Sequence, residues 1–348
     1  MFSFLRPYIF SLDPEIAHDL AIKSLKFNFI PKSFFQVEHE EMLSTELFKK
    51  KLKNPIGLAA GFDKSAEVYN SLFKLGFGFV EVGTITPKRQ FGNLKPRIFR
   101  LEKDKAMINR LGFNNDGIEI ILDRLAQNFP DGFLGINIGP NKDTEDKISD
   151  FIECFSKLNK FASYITINIS SPNTEGLRDF HEEKLLSDLL NKLYDLKKNQ
   201  KIPSPIVLKL SPDIEDKEIN KINELVLKFK IDGIILTNTT NKNRESLVDS
   251  NRSEIGGLSG LPLKNLSLKF IKNFYKFNKG KLPIIGVGGI DSGQSAFEKI
   301  TAGATAVQLY TGMVYKGPSI VKDIKKELIE ILKKEKIKNI QQAVGINS

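Results

Sequence analysis

The sequence predicts an α/β fold, a (β/α)8 TIM barrel with an N-terminal helical hairpin extension. Amphipathic helical patterns such as "KINELVLKFK" and "GQSAFEKITAGA" alternate with short apolar runs. The runs span residues 54–60, 78–84, 133–138, 164–170, 205–211, 232–238, 283–289 and 306–311. Eight parallel strands that alternate with helices can close a barrel, and buried parallel strands read as continuous apolar runs. An open doubly wound sheet is the alternative that the same alternation allows.

The segment before the first apolar run predicts two short amphipathic helices. Asp13 and Pro14 resemble an N-cap followed by proline at the first helical position. Apolar residues dominate both halves of the segment, and Arg6, Lys23 and Lys26 are available for anionic headgroups. This composition suits a hairpin that lies in a membrane interface. The alternative is a hairpin that packs on its own barrel.

Polar residues follow all eight apolar runs. The ends of the runs read "AAGFDK", "GTITP", "NIGPN", "NISSPN", "KLSPD", "TNTT", "GVGGI" and "YTG". Turns also favour glycine and asparagine, so one such end alone is weak evidence. A (β/α)8 barrel places its active site at the carboxyl ends of its strands. The repeated pattern therefore predicts an active site at this end of the barrel.

The most informative end is "INISSPNTEGLR", which begins at Ile167 and ends at Arg178. A buried-strand pattern breaks at Pro172 into a loop of uncharged polar side chains. These side chains belong to Asn168, Ser170, Ser171, Asn173 and Thr174. Many amide and hydroxyl groups without an acid suit a planar, polar, anionic substrate. An ordinary turn rich in Asn, Ser and Pro is the other interpretation.

Glycines after the last two strands predict a phosphate site. "GVGGI" ends at Ile290 and precedes the helical segment "DSGQSA", and "YTG" ends at Gly312. Glycines let backbone N–H groups approach an anion, and a helix N-terminus adds its dipole. The loops after strands seven and eight are the usual phosphate site of this barrel. A tight turn with positive φ is the other explanation of these glycines.

Two lysines and one serine are candidates for chemistry. Lys64 and Lys209 lie at strand ends, where a buried lysine can form a Schiff base or hold a negative charge on a cofactor or substrate. The alternative of an exposed lysine suits Lys209 less well, because apolar residues surround it. Ser171 lies in no "GxSxG" motif and no histidine follows a strand, which disfavours acyl transfer. Ser171 can instead act as a base at a carbon acid beside a cofactor that removes hydride.

Composition excludes several other classes of protein. The 348 residues are 41% hydrophobic and 27% charged, and the net charge of +10 is spread over polar helix faces. Because no dense basic tract with aromatics is present, we expect no nucleic-acid partner. Cys154 is the single cysteine and lies in a helical pattern, so we expect a buried thiol, no disulfide and no metal site. No apolar run is long enough to span a bilayer, and no secretory signal is recognisable.

Ten motifs between about Phe4 and Lys322 occur together in one order. They include "NPIGLAAGFDK", "INRLGFNNDG", "LGINIGPNKDT", "YITINISSPNTEGLR" and "PIIGVGGIDSG". With these motifs the chain resembles the dihydroorotate dehydrogenases, specifically the membrane-associated, quinone-reducing class. The resemblance implies an FMN-containing barrel that oxidises (S)-dihydroorotate to orotate in pyrimidine synthesis and passes the electrons to a quinone.

The resemblance also implies roles for the matched residues. FMN would be bound by Ala60, Gly61, Lys64, Thr84, Asn137, Asn168, Lys209, Thr237, Gly260, Gly289, Tyr310 and Thr311. Dihydroorotate would be bound by Lys64, Asn109, Arg110, Leu111, Gly112, Phe113, Asn168, Asn173, Asn238 and Thr239. Ser171 would be the base that removes a proton from C5 while hydride leaves C6 for FMN. The soluble class of the family has cysteine at this position, so the serine favours the quinone class.

The resemblance divides the chain into an extension for membrane contact and quinone access, residues 1–38, and an FMN-binding barrel, residues 39–348. His18 and Arg97 match positions that face the quinone tunnel in relatives. We expect a monomer attached peripherally to the cytoplasmic face of the inner cell membrane. A bacterial membrane is favoured over a mitochondrial one, because no transit segment rich in Arg and Ser precedes the hairpin.

Three rival functions can be weighed against this one. The soluble class, which uses fumarate or NAD, is disfavoured by Ser171 and by the N-terminal extension. A phosphate-binding aldolase with Lys209 as the Schiff-base former would purify without colour. A basic membrane- or nucleic-acid-binding protein with an inactive barrel is disfavoured because Ser171, Lys64 and the asparagines are present.

Overall fold

The computed structural model describes residues 2–27, 40–201, 204–242 and 244–348. The helices are α1 (Phe2–Phe10), α2 (Pro14–Lys26), α3 (Tyr69–Lys74), α4 (Ile118–Gln127), α5 (Lys147–Leu158), α6 (Glu183–Asn199), α7 (Asp216–Lys228), α8 (Lys264–Asn278), α9 (Gly293–Thr301), α10 (Thr311–Lys316) and α11 (Ile320–Lys334). The strands are β1 (Thr45–Leu47), β2 (Lys50–Leu52), β3 (Ile56–Leu58), β4 (Phe79–Ile85), β5 (Ile98–Leu101), β6 (Ala106–Asn109), β7 (Phe133–Ile138), β8 (Tyr164–Asn168), β9 (Ile206–Leu210), β10 (Gly233–Leu236), β11 (Gly257–Gly260), β12 (Ile284–Val287) and β13 (Ala306–Leu309). The predicted boundary between residues 38 and 39, like His39, lies outside the described residues.

Eight parallel strands close a barrel in the order β3, β4, β7, β8, β9, β10, β12 and β13. Each lies within one of the eight apolar runs or overlaps it closely, so the predicted barrel is confirmed and the open sheet was the wrong alternative. The helices between the strands bury one face. In α11, for example, Ile320, Ile324, Leu328 and Leu332 are buried at a spacing of four residues, as expected of an amphipathic helix.

Large rings fill the amino-terminal half of the barrel interior. Phe79 and Tyr164 are fully buried there, and the glycines on the neighbouring strands give them room. A Cβ at Gly57 would lie 2.4 Å from the Phe79 ring, and a Cβ at Gly135 would lie 2.2 Å from the Tyr164 ring. Phe48, in the turn of the antiparallel hairpin β1–β2, also packs on the Tyr164 ring. This end of the barrel is therefore closed, which leaves the carboxyl end for a site.

A small antiparallel sheet accompanies the barrel. Its strands pair in the order β11, β6 and β5, with Gly257 opposite Asn109 and Ile98 opposite Asn109 on the other side. The sequence did not predict these strands, because each has only four residues and charged residues flank β5 and β6. The sheet brings "INRLGF" and "GGLSG", which are far apart in sequence, to one side of the barrel mouth.

The two predicted N-terminal helices are present as α1 and α2. The Asp13 carboxylate accepts hydrogen bonds from the N–H groups of Glu15 and Ile16, and Pro14 is the first helical residue, which confirms the predicted cap. The hairpin is fastened to the barrel domain because Arg100 donates to the backbone oxygens of Phe10 and Leu12. Within the described ranges, no helix is long and apolar enough to cross a membrane.

Cys154 is fully buried on α5, as predicted. Its Sγ lies 3.9 Å from the backbone oxygen of Ile85. Burial raises the pKa of the Cys154 thiol well above its ordinary value. The thiol is therefore protonated at neutral pH and takes no part in chemistry at the barrel mouth.

Candidate active site

A cavity of about 370 Å³ lies at the carboxyl ends of the barrel strands. Its walls come from loops after the strands and from the small sheet of β5, β6 and β11. The site residues implied by the resemblance that line it are Ala60, Gly61, Lys64, Thr84, Asn109, Leu111, Gly112, Phe113, Asn168, Ser171, Asn173, Lys209, Thr237, Asn238, Thr239, Gly260, Gly289, Tyr310 and Thr311. The fold thus brings together residues separated by up to 251 positions, from Ala60 to Thr311.

Polar side chains at the ends of β4, β8 and β10 form a continuous hydrogen-bonded chain. Asn168 Nδ2 donates to Thr84 Oγ1 at 3.0 Å. Asn168 Oδ1 accepts from Ser170 Oγ at 3.0 Å and from Asn238 Nδ2 at 3.3 Å. Asn238 also donates to Ser170 Oγ at 2.9 Å. These contacts hold the two asparagine amides at the cavity wall, where they can pair with the carbonyl and N–H groups of a planar ligand.

Ser171 lies in the first turn after β8 and is 6% exposed. Its Oγ accepts a hydrogen bond from the Asn173 N–H group at 3.2 Å. Asn173 in turn donates from Nδ2 to the backbone oxygen of Asn109 in β6, at 3.0 Å. The backbone donor stabilises negative charge on the serine oxygen, and the contact with β6 fixes the position of the loop.

The loop that carries Ser171 is also fastened at its far end. The guanidinium of Arg178 pairs with Asp213 after β9 at 3.0 Å. It also lies within hydrogen-bonding distance of the backbone oxygens of Ser170 and Thr239. Arg178 therefore ties together the loops that follow β8, β9 and β10. This arrangement restrains Ser171 relative to the asparagines across the cavity.

Lys64 reaches the cavity from the loop after β3. Its Nζ lies 3.1 Å from Nε2 of His18 on α2. Burial lowers the pKa of Lys64 to about 8, although the nearby carboxylates of Glu15 and Asp19 act in the opposite direction. The pKa of His18 lies well below its ordinary value, mainly because the imidazole is buried and secondarily because Lys64 is charged. At neutral pH the imidazole is therefore uncharged and Lys64 is the local cation.

A buried acid below the cavity was not predicted. Glu81 of β4 is fully buried, and its Oε1 lies 3.6 Å from Nζ of Lys209 on β9. The carboxylate accepts hydrogen bonds of 2.8–3.2 Å from Asn137, Tyr164, Thr166 and Gln308. The sequence signal was available, because "GFVEVGT" holds a single acid within an apolar run. Glu81 balances the charge of Lys209 and sets the position of that lysine under the cavity floor.

The loops after β12 and β13 form the glycine-rich wall that the sequence predicted. Gly288, Gly289 and Thr311 line the cavity there. Gly289 has φ +69°, and a Cβ at this position would lie 2.6 Å from Cα of Lys264. Ser259, which sequence reasoning missed, also lines the wall, and its hydroxyl lies 2.9 Å from that of Thr311. Backbone N–H groups and two hydroxyls at one wall suit a phosphate group.

Three buried polar atoms at the cavity lack partners among the described residues. Asn114 Oδ1, Thr237 Oγ1 and Gln308 Oε1 make no hydrogen bond to any described residue, and all three residues line the cavity. Buried polar groups in proteins are normally paired, so an unpaired donor and acceptor indicate a ligand with matching polar edges. A flavin ring, which has both carbonyl and N–H groups, fits this requirement together with the phosphate-type wall.

Four residues implied by the resemblance are not part of the described cavity lining. Asn137 lies one step behind it, accepting from Thr84 Oγ1 at 2.6 Å and donating to Glu81. Arg110 points away and pairs with Glu254 at 2.8 Å. His18 contacts the cavity lining through Lys64.

Arg97 is the fourth of these residues. It forms two hydrogen bonds with the Glu15 carboxylate of α2, at 2.6 and 3.1 Å, and donates to the backbone oxygens of Phe91 and Asn93. Arg97 and Glu15 thus form a bidentate salt bridge, which is a strong type of ion pair. In this structure Arg97 therefore fastens the hairpin to the loop before β5.

The part of the chain that the structure describes contains no group of three or more His, Cys, Asp or Glu side chains placed to hold a metal ion.

Comparison with known proteins identifies the family to which this site belongs. The family model "Dihydroorotate dehydrogenase" matches residues 42–332. A "Dihydroorotate dehydrogenase (quinone)" of Christiangramia forsetii is 47% identical over 337 residues, covering 94% of this chain and 98% of the relative. The mitochondrial enzyme of the same name from Mus musculus is 42% identical, covering 97% of this chain and 87% of the relative. The crystal structure of a DHODH from Eimeria tenella with ferulenol superposes with a TM-score of 0.92 at 40% identity and covers 96% of both chains.

Proposed function

The chain belongs to the dihydroorotate dehydrogenase family, and we propose that it oxidises (S)-dihydroorotate to orotate and passes the electrons to a membrane quinone. Family membership implies a flavin cofactor, and we propose FMN. The observation that carries the proposal is the cavity at the barrel mouth, where amide side chains, Lys64 and Ser171 meet next to a glycine-rich wall. Orotate formation serves pyrimidine biosynthesis in this family.

The residues divide the cavity between cofactor and substrate. We propose that FMN is held by the residues that the resemblance implies for it, from Ala60 to Thr311, with its phosphate at Gly260, Gly289 and the residues after β13. When bound, FMN would supply the acceptor for the hydride that leaves the substrate and the redox link to quinone. Lys64, Asn168, Asn173 and Asn238 bind the carboxylate and the ring edges of dihydroorotate. Each buried edge left without a partner costs about 1–3 kcal/mol.

Ser171 is the proposed base. Its Oγ takes the proton from C5 of dihydroorotate while its own hydroxyl proton passes to water. Hydride leaves C6 for the flavin, and the C5–C6 double bond of orotate forms. The Asn173 N–H group at 3.2 Å stabilises the serine oxygen as it is activated.

The hairpin of α1 and α2 is the proposed route for quinone and the proposed membrane contact. Large apolar side chains on its surface are exposed, with Phe4 at 73% and Tyr8 at 67%. The loop before β5 continues this surface, since Lys95 pairs with Glu15 of α2 at 3.3 Å and Leu94 is 91% exposed. Such an aromatic, basic surface suits the headgroup region of a bilayer. We propose a monomer bound peripherally to the cytoplasmic face of the inner membrane.

The proposed function is tested by following the flavin absorbance of the purified protein without oxygen. Dihydroorotate should bleach a band near about 450 nm, and a short-chain quinone should restore it rapidly while fumarate restores it slowly. Rapid recovery with fumarate would assign the protein to the soluble class. A protein without flavin, or a flavin that dihydroorotate does not bleach, would refute the proposed activity.

The charge of Lys64 predicts a pH dependence for substrate capture. Because the pKa of Lys64 is lowered to about 8, the ammonium that binds the substrate carboxylate is lost as the pH rises through this value. We expect kcat/KM for dihydroorotate to fall about tenfold per pH unit above about pH 8. The measurement is a kcat/KM profile from pH 6 to 10. In Lys64→Arg the fall should move above the measured range, since arginine stays charged; an unchanged profile in this variant would contradict the assignment.

Exposed aromatic residues of α1 predict a specific loss of membrane function. We expect Phe4→Ser combined with Tyr8→Ser to weaken binding to anionic vesicles by about tenfold or more, because two large apolar side chains no longer enter the interface. Reduction of the flavin by dihydroorotate should be unchanged. Co-sedimentation with vesicles measures the first quantity and stopped-flow absorbance the second. Phe129→Ser is the matched control, since Phe129 is an exposed phenylalanine that follows α4 and is not part of the hairpin. An equal loss in the control would rule out a specific membrane contact.

A further inference from the structure

Lys299 is a buried cation that the proposed reaction does not use. It lies on α9 and is 1% exposed. Its Nζ lies 3.0 Å from Ser267 Oγ and 3.4 Å from the backbone oxygen of Lys264, both on α8. No described carboxylate forms a salt bridge with it, and the adjacent Glu298 pairs with Lys264 at 2.8 Å instead. An ammonium buried among neutral oxygens is costly, so its presence calls for an explanation.

The partners of Lys299 lie directly behind the glycine-rich wall of the cavity. Ser267 donates its hydroxyl to the backbone oxygen of Val287, and Val287, Gly288 and Gly289 all line the cavity. A Cβ at Gly288 would lie 3.1 Å from Cβ of Ser267, and a Cβ at Gly289 would lie 2.5 Å from Cβ of Lys264. The wall thus rests on the two residues that Lys299 contacts.

The Lys299 side chain runs beside β12. Its Cδ lies 3.5 Å from the place where a Cβ of Gly286 would stand, an ordinary van der Waals distance. From α9 the ammonium reaches Ser267 and the backbone oxygen of Lys264 at the start of α8. Burial lowers the pKa of Lys299 to about 7, and the charge of Lys264 adds to this effect while Glu298 opposes it. A negative charge bound in front of the wall would favour the protonated form.

We propose that Lys299 is a positioning residue for the phosphate group of the flavin cofactor, acting through Ser267 and the Val287–Gly289 wall. Its ammonium holds the start of α8 against the wall and places a positive charge behind the backbone groups that face the phosphate. This inference rests on the proposed function, because that function supplies FMN as the phosphate-bearing ligand. Lys299 itself does not line the cavity, so it acts on the phosphate through the wall.

The test compares FMN with riboflavin, which lacks the phosphate. The FMN-loaded protein is incubated with increasing riboflavin, and bound flavins are separated and quantified to obtain the preference for FMN. We expect Lys299→Met to reduce this preference by about tenfold, the scale of one lost charge interaction, and Lys299→Arg to retain most of it. A loss of folding would weaken the binding of both flavins alike and leave the preference for FMN unchanged. Lys269→Met, which replaces an exposed lysine of α8, should behave like the unaltered protein.

Each outcome of this test decides the inference. An unchanged FMN preference in a folded Lys299→Met variant overturns it, as does an equal reduction in Lys269→Met. If Lys299→Met does not fold, Ser267→Ala removes the link to Val287, and an unchanged preference in that variant overturns the inference. A purified protein that carries no flavin overturns both this inference and the proposed function. A reduced FMN preference in a protein that dihydroorotate does not reduce supports the inference and refutes the activity.

Discussion

Replacement of Ser171 by alanine is expected to slow reduction of the flavin by dihydroorotate by about 10²–10⁴-fold, the usual contribution of a general base. Removal of one hydroxyl at the end of β8 leaves the cavity wall in place, so FMN should stay bound with an unchanged absorbance spectrum. Single-turnover absorbance after mixing with dihydroorotate in the absence of oxygen measures the step directly. Reoxidation by quinone should be unaffected, since it does not require proton removal from C5.

The chain offers a matched control for this substitution. Ser211 follows β9 as Ser171 follows β8, and its Oγ accepts from the Asp213 N–H group at 3.1 Å, two residues onward. Ser211 is buried but is not part of the described cavity lining. In the Ser211→Ala variant, dihydroorotate should therefore reduce the flavin at a rate close to that in the unaltered protein. Equal losses in the two variants would mean that Ser171 acts by shaping a turn and not as the base.

Replacement of Glu81 by glutamine is expected to lower the free energy of unfolding by about 3–5 kcal/mol, because the ammonium of Lys209 stays buried without its partner. The new amide also presents N–H groups to donors, since Asn137, Tyr164 and Gln308 all donate to this carboxylate. Equilibrium unfolding in denaturant, with FMN at one fixed concentration, measures the change.

A double-mutant cycle separates the charge pair from the rest of the network. Glu81→Gln in a Lys209→Met background should cost at least about 1 kcal/mol less than Glu81→Gln alone, because the buried charge is gone. Glu119→Gln is the surface control, since Glu119 pairs with Lys157 at 2.6 Å with three quarters of its side chain exposed, and such pairs contribute about 0–1 kcal/mol. Additive costs in the cycle would refute the coupling between Glu81 and Lys209.

The strands of the barrel were predictable because the relevant information is local. A parallel strand covered on both faces is a run of apolar residues, and each of the eight runs became a barrel strand. The same holds for the cap at Asp13 and for the polar loop after β8, because turn chemistry and strand periodicity depend on adjacent residues. The resemblance to a known family then assigned roles to individual residues, which stay predictions until they are tested.

Other features were settled by contacts between residues far apart in the chain. Glu81 meets Lys209 and Gln308 only because barrel closure brings β4, β9 and β13 around one interior layer. Glu81 could be noticed in the sequence as a single acid in an apolar run, but its partners could not be identified. The strands β5, β6 and β11 are too short to carry a periodic signal, and their pairing alone brings Asn109 and Ser259 to the cavity.

The orientation of side chains at the barrel mouth has the same origin. Arg97 was matched to a quinone position, yet its guanidinium is occupied by Glu15, a residue that the hairpin carries to it from 82 positions away. Lys299 reads as an ordinary helical lysine, and only the packing of α9 against α8 and β12 buries it behind the glycine-rich wall. Apolar periodicity and turn chemistry depend on residues close together in the chain, so they can be recognised in the sequence. Charge pairing depends on which distant residues the closed barrel makes neighbours, so it emerges only from the folded structure.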